Sequence, residues 1–331
     1  MSAEVGWESP EWHLSSKQAK ARKARKNAFA AIRLSADSAT KQLRTFVADG
    51  SEAVVLRRSF SYLRTSINDN TVSDRATPPR ELRPPATRLV TSRGMALRFM
   101  LTALAVKQQG RAPGGLPIES KIAHESGWTD LVASPSTASR AKAGYLEKAQ
   151  TKRRKQITTA LGNIEDAGLV ELGQGMKKFE DFKLLDEGGI SERAGQELMP
   201  YRKPGQNEEV YKLPAGFFEN GWVHILQDSE IALLLMVKCG VGSLSDPEEG
   251  VRAIDSFVRL HHYGFGRDSF GAALLPLEEL GLLRVDRRNR NPDGTHVGHK
   301  LGEKAPLHRL KVLDEGFDED ALNVGEEVYG V

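Results

Sequence analysis

The stretch KQITTALGNIEDAGLVEL, Lys155 to Leu172, recurs as DSFGAALLPLEELGLLRV, Asp268 to Val285, and this recurrence decides the fold. Ile157, Leu161, Ile164, Gly168, Leu169 and Val170 match Phe270, Leu274, Leu277, Gly281, Leu282 and Leu283 at one constant offset of 113 positions, without a gap. In each copy, apolar residues at i, i+4 and i+7 lie on one side of a helix. A glycine then permits the left-handed turn that ends the helix, and the apolar pair after it begins a strand. One module is therefore expected twice, over about residues 89–188 and 222–316.

The match extends on both sides. Upstream, Ala96, Leu97, Phe99 and Met100 correspond to Ala232, Leu233, Leu235 and Met236; downstream, KLLDEG from Lys183 corresponds to KVLDEG from Lys311. The apolar runs Met95 to Val106 and Ile231 to Val237 predict a first helix in each copy, with Ser92 and Asp228 placed to cap it. In the first copy SKIAHESGW, Ser120 to Trp128, reads as a second helix closed by a glycine turn, and Thr129 to Thr151 as an insertion before the third helix. Phe182 to Leu185 and Leu310 to Leu313 read as second strands after polar, glycine-bearing turns.

This succession of three helices and a hairpin resembles the winged-helix DNA-binding module, the quoted stretches standing as its third helix and first wing strand. Over roughly residues 89–317 the duplicated layout is similar to plasmid replication initiators with tandem winged helices, and to actinobacterial DNA-binding proteins. The resemblance implies a fold that is mainly α with small β-hairpins (α+β): two winged-helix domains preceded by a basic helical N-terminal region. Residues 1–64 are expected to form that region, 65–88 a proline-rich linker, 89–189 the first winged helix and 190–209 a second linker. Residues 210–317 then form the second winged helix and 318–331 an acidic tail. Pro78-Pro79 and Pro84-Pro85 underlie the first linker, because proline fixes φ and has no amide donor.

The chain has 331 residues, a net charge of +3 and an apolar fraction of 39%, enough for two or three domains with small cores. Its charge is segregated. Seven basic residues and no acidic one lie from Lys17 to Arg33, while Arg140, Lys142, Lys148, Lys152, Arg153, Arg154 and Lys155 are opposed only by Glu147. Val312 to Val331 contains acidic residues and no basic ones. Such separation suits binding surfaces.

At about 100° per residue, Lys152, Lys155, Thr159 and Asn163 fall opposite the apolar stripe, with Gln156 beside them. Arg153 and Arg154 suit phosphates, and the amides of Gln156 and Asn163 suit adenine edges. The second copy has Asp268, Ser269, Ala272 and Pro276 in place of Lys155, Gln156, Thr159 and Asn163; Asp268 reads as an N-cap and Pro276 as a kink. Its cations lie in the wing, where Arg284, Arg287, Arg288, Arg290, Lys300, Lys304 and Arg309 surround the turn signal Asn291-Pro292-Asp293-Gly294. The expected function is sequence-specific binding of double-stranded DNA, as a replication-initiator-like factor or a transcription regulator. The third helix of the first copy reads the duplex through Lys152, Arg153, Arg154, Lys155, Gln156, Thr159 and Asn163, and the second wing contacts the backbone through Arg287, Arg288, Arg290 and Lys300. An alternative is a partner-binding protein that assembles, as a homodimer for example, through the second copy and an exposed Leu275.

Other chemistry is set aside. Cys239, the only cysteine, excludes an internal disulfide framework or a cysteine-rich zinc module. His261-His262-Tyr263 lacks the spacing of a nickase site and reads as the packed end of a helix. His296, His299 and His308 have no rigid spacing, which leaves a metal-dependent nucleic-acid enzyme as the weakest reading. Gly114-Gly115 lacks the lysine and hydroxyl of a phosphate-binding loop. No cofactor, metal or enzymatic activity is expected. The longest apolar run is far below the roughly 20 residues that cross a bilayer. A cytoplasmic, nucleoid-associated protein without membrane contact is expected.

Overall fold

Apolar residues three to four positions apart place Phe29, Ile32, Ala36, Ala39, Leu43 and Phe46 on one side of the N-terminal segment. Ser16–Phe46 accordingly folds as a single helix, α1, with that side buried. The computed structural model describes residues 16–47, 53–64, 77–90, 94–120, 125–135, 139–140, 146–189, 199–286 and 307–331. After α1 come β1 (Val54–Arg57), α2 (Ala96–Gln108), α3 (Trp128–Leu131), α4 (Ala149–Asp166), β2 (Val170–Glu171) and β3 (Lys183–Leu184). Then follow β4 (Val210–Leu213), α5 (Asp228–Cys239), β5 (Arg252–Ala253), α6 (Arg267–Glu279), β6 (Leu283–Asp286), β7 (Arg309–Val312) and α7 (Ala321–Tyr329). The fold is mainly helical, with small antiparallel sheets.

The two copies repeat individual hydrogen bonds. After α4, the Gly168 amide donates to the Glu165 carbonyl (2.8 Å) and the Leu169 amide to Ile164 (3.1 Å); after α6, Gly281 donates to Glu278 (3.0 Å) and Leu282 to Leu277 (2.9 Å). Both glycines are left-handed, at φ +73° and +71°, a conformation that a Cβ strains. Leu185 then donates to Leu169 (2.9 Å) and Leu313 to Leu282 (3.0 Å). The hairpins follow in one register, Val170 opposite Leu184 and Leu283 opposite Val312.

In the second copy, β5 follows α5 and joins the hairpin, giving the sheet order β5-β7-β6. A π-helical turn, Val258–His262, precedes α6. The first copy puts the 3-10 turn Pro113–Gly115 against β3 instead of a strand. Gly114 fits there because a Cβ would sit 1.6 Å from the Phe182 carbonyl oxygen.

Several local expectations need correction. Gly127 opens α3 rather than closing a preceding helix: its amide donates to Asp130 Oδ2 (2.9 Å), and the chain passes too close to Ile118 and Ser120 for a side chain. Residues 121–124, and Ser92, lie outside the described residues. The stretch read as an insertion carries α3 and a hairpin pairing Ser139–Arg140 with Leu146–Glu147. Asp228 is the first residue of α5, whose N-terminus is closed by Glu230 accepting from the Gln227 amide (2.9 Å). Gly266, not Asp268, occupies the cap of α6, and α6 runs through Pro276, one turn from its end, where the missing amide removes a single helical bond.

One apolar core runs from α1 through both copies to α7. β1 pairs with β4, Val54 opposite Leu213. Arg57 at the end of that pairing binds buried Glu187 (2.5 Å) and Glu208 (2.5 Å). The stretch expected as an acidic tail forms α7, capped by Asp320, which accepts from the Leu322 and Asn323 amides (3.0 and 3.2 Å). It docks on α1 because Ala321, Val324, Val328 and Tyr329 return at helical spacing to one side, and Arg33 pairs with Glu326 (3.0 Å). Part of the proline-rich stretch is packed too: Pro85, Ala86 and Thr87 are buried, and Thr87 Oγ1 donates to the Tyr263 carbonyl (2.8 Å). Among the described residues no helix is long and apolar enough to cross a membrane.

Candidate nucleic-acid interface

Helix α4 has two halves. Ile157, Ala160, Leu161 and Ile164 bury its second half, whereas none of residues 149–156 is buried. The first half therefore stands clear of the core, and it carries Lys152, Arg153, Arg154 and Lys155 in succession. No acidic residue occurs between Lys148 and Ile164, and the positive end of the helix dipole adds to the same field. Arg154 and Lys155 are exposed; Lys152 and Arg153 are half-buried.

The stripe Lys155, Gln156, Thr159 and Asn163 is exposed at Lys155 and Thr159 and half-buried at Gln156 and Asn163. It lines a groove with a volume of about 790 Å³, and the opposite wall is formed by Asp268, Ser269 and Ala272 of α6. Lys155 and Asp268, Gln156 and Ser269, and Thr159 and Ala272 are equivalent positions of the repeat. The two third helices thus turn matching faces toward one cleft, with Arg25, Ala28 and Ile32 of α1 also on its wall.

Beneath the groove lie two buried arginines, Arg25 of the N-terminal basic run and Arg98, which sequence reading missed. Arg25 donates from Nε and Nη2 to the two oxygens of Glu230 (2.7 and 3.0 Å) and from Nη2 to the Ile225 carbonyl (3.1 Å). Burial alone would lower its pKa, but Glu230 and, beyond it, Tyr329 hold it above the ordinary value. Arg98, in the middle of α2, donates to the carbonyls of Ala133 (2.9 Å) and Leu226 (2.8 Å). Burial brings its pKa down to about 10, with Asp228 opposing the fall and Arg25 adding to it. The available signal for Arg98 was a single charge inside the apolar run MALRFMLTALAV.

His224 is fully buried close by, and burial, helped by Arg98, depresses its pKa to about 3. The native ring stays neutral while the unfolded chain takes up a proton below pH 6.5, so this contribution to stability is complete above pH 6.5 and lost as pH falls toward 3. His224→Gln is expected to flatten the acid-side fall in the urea midpoint over that window. An unchanged slope would reject the assignment.

No protein-family model, curated protein or solved structure matches the chain.

The remaining cationic candidates divide further. Of the run from Lys17 to Arg33, Arg22 binds Glu279 (2.7 Å), Arg25 binds Glu230, Lys26 donates to the Gly330 carbonyl (3.1 Å) and Arg33 binds Glu326. That run mainly fastens the second copy and α7, while Lys17, Lys20 and Lys23 are exposed. Arg309 bridges Asp246 (2.6 Å) and Asp286 (2.5 Å), and Arg284 and Lys311 pair with Glu248. Hydrogen bonds from Arg309 hold the Asp246 carboxyl at about 2. Arg284 and Arg309 therefore brace the β5-β7-β6 sheet instead of extending from it. Arg287, Arg288, Arg290, Lys300 and Lys304 lie outside the described residues, as do His296 and His299.

Among the described residues no group of three His, Cys, Asp or Glu side chains is arranged to hold a metal. His261 and Tyr263 are buried, and His262 stacks on Tyr62 with its Nδ1 at 2.6 Å from the Leu63 carbonyl. A second feature missed from sequence is Met176, fully exposed at the tip of the first hairpin beside exposed Lys177 and Lys178. Its signal was an apolar residue within the turn GQGMKK.

Proposed function

We propose that the chain is a tandem winged-helix protein that binds double-stranded DNA sequence-specifically, as a replication-initiator-like factor or a transcription regulator. Two features support the winged-helix reading: the order helix, strand, helix, helix, strand, strand in the second copy, and the sheet order β5-β7-β6. The first copy keeps that order with Pro113–Gly115 beside β3 in the place of the first strand.

The observation that carries the DNA reading is the clear-standing half of α4. Four consecutive cations there occupy the first turns of the third helix, the part that winged and helix-turn-helix proteins bring to the groove edge. Lys152, Arg153 and Arg154 contact phosphates on this reading. Gln156, Thr159 and Asn163 reach bases only where a DNA edge enters the cleft between α4 and α6. Met176, followed by two lysines at the hairpin tip, suits an apolar contact in the adjacent minor groove. Arg287, Arg288, Arg290 and Lys300 of the second wing remain part of the proposed backbone contact.

Titration of a fluorescent duplex across salt concentrations tests the proposal. Three phosphate contacts give a slope of log affinity on log salt near −2.7, or roughly a fortyfold loss between about 50 and 200 mM salt. Selection from a random duplex pool is expected to enrich one sequence. A flat salt response, or no enrichment, rejects the function. The partner-binding alternative has less support, since Leu275, its expected contact, is half-buried.

A further inference from the structure

We infer that the cleft between α4 and α6 is a binding site for a small organic monoanion with an apolar body, and that Arg98 meets its charged group. The site goes beyond DNA binding and does not depend on it.

The cleft has the form of a ligand site. Its volume, about 790 Å³, falls in the range of roughly 300 to 1,000 Å³ that small-molecule pockets occupy. Ile32, Val90, Met95, Ala160, Ile225 and Ala272 give it apolar walls. A solvated phosphate alone would gain nothing from such walls; an aromatic or branched hydrocarbon body would.

Arg98 supplies the anion-binding element. It is 7% exposed and lines the cleft; Nη1 and Nη2 give one hydrogen bond each, so that each keeps a second N–H, and Nε is sealed from solvent without a hydrogen-bond partner. Its two bonded acceptors, the Ala133 and Leu226 carbonyls, are neutral. A buried guanidinium held only by carbonyls is incompletely compensated, because a charge removed from water needs an opposite charge in contact. Arg25 differs: Glu230 satisfies it with two bonds.

The other charges on the wall set the ligand's valence. Arg25, Arg83, Arg98 and Lys155 face Asp228 and Asp268, and the Arg25 charge is matched by Glu230 beneath. Of the two buried cations on the wall, Arg25 is bound by Glu230 and Arg98 by no carboxylate, which suits one negative charge. Asp228, acting on Arg98 through space, disfavours a dianion such as a phosphate monoester. A carboxylate or sulfonate on an apolar frame satisfies both the charge and the walls.

The probe for the test is 1-anilinonaphthalene-8-sulfonate, with N-phenyl-1-naphthylamine as its uncharged counterpart, added to the intact chain. Saturable one-to-one binding of the sulfonate is expected, at least about tenfold tighter than the amine, because a charge-assisted hydrogen bond is worth that much or more. Arg98→Gln is expected to remove the preference for the anion. Since Arg98 is buried and its replacement can unfold the chain, Ala272→Trp provides the second test. It fills the cleft from an exposed helix position, leaves Arg98 in place, and is expected to abolish binding of both probes at an unchanged melting temperature. Non-saturable sulfonate binding, equal affinity for the two probes, or insensitivity to Ala272→Trp would overturn the inference. Probe binding without duplex binding sinks only the function proposed above; duplex binding without probe binding sinks only this site.

Discussion

Glu230→Ala is expected to destabilise the protein by about 3 to 5 kcal/mol, which is the cost of leaving a buried cation without its partner. The effect is large because Glu230 serves three elements at once. It binds Arg25 of α1 through both oxygens and accepts from the Gln227 amide at the start of α5, while Arg25 also lies 5.3 Å from the Tyr329 ring of α7. Glu230 is 1% and Arg25 4% exposed, so water cannot replace the lost bonds. Arg25→Met combined with Glu230→Met removes both charges and is expected to cost much less than the sum of the single changes. Urea midpoints of the three variants measure this coupling. A loss below about 1 kcal/mol for Glu230→Ala would show that the pair does not fasten α1 to the second copy.

The repeat was legible because its signals are local. Gly168 and Gly281 follow apolar stripes at helical spacing, and the hydrogen bonds that close α4 and α6 need nothing beyond the residues around them. The short second helix of each copy was less legible. α3 spans Trp128–Leu131 and its counterpart is the π-helical turn Val258–His262, both too short for periodicity to register. The stretch 318–331 read as a tail because its acidic residues dominate the composition; its docking rests on α1, some 300 positions away in sequence. Phe29 meets Tyr329 at 5.6 Å, a contact that periodicity cannot anticipate.

The site shows the same division. That α4 bears a basic face could be read from Lys152 to Asn163, and the burial of Ile157, Leu161 and Ile164 agrees with that orientation. Its surroundings could not be read. The cleft exists because the two copies pack with their third helices toward each other across α1, and no single-copy argument contains that arrangement. Charges at equivalent positions had looked like a functional contrast between copies. In the fold, Lys155 and Asp268 are opposing walls of one space.

Replacing Lys152 and Arg154 together by alanine is expected to weaken binding of every duplex by on the order of thirtyfold at about 0.15 M salt, and to reduce the salt slope by about 1.8. Phosphate contacts carry no sequence information, so the enriched sequence should stay the same. Asn163→Ala separates the cleft from the clear-standing half of α4. With a base edge in the cleft, it leaves the salt slope intact and relaxes preference at one position by about 1 to 3 kcal/mol. With the cleft closed to DNA, it changes neither quantity, and specificity then comes from the first turns of α4, the hairpin tip or the second wing. Binding titrations on the selected duplex and a scrambled one, at several salt concentrations, distinguish these outcomes. An unchanged slope in the Lys152 and Arg154 double variant would remove α4 from the interface, because two lost phosphate contacts cannot leave counterion release unaltered.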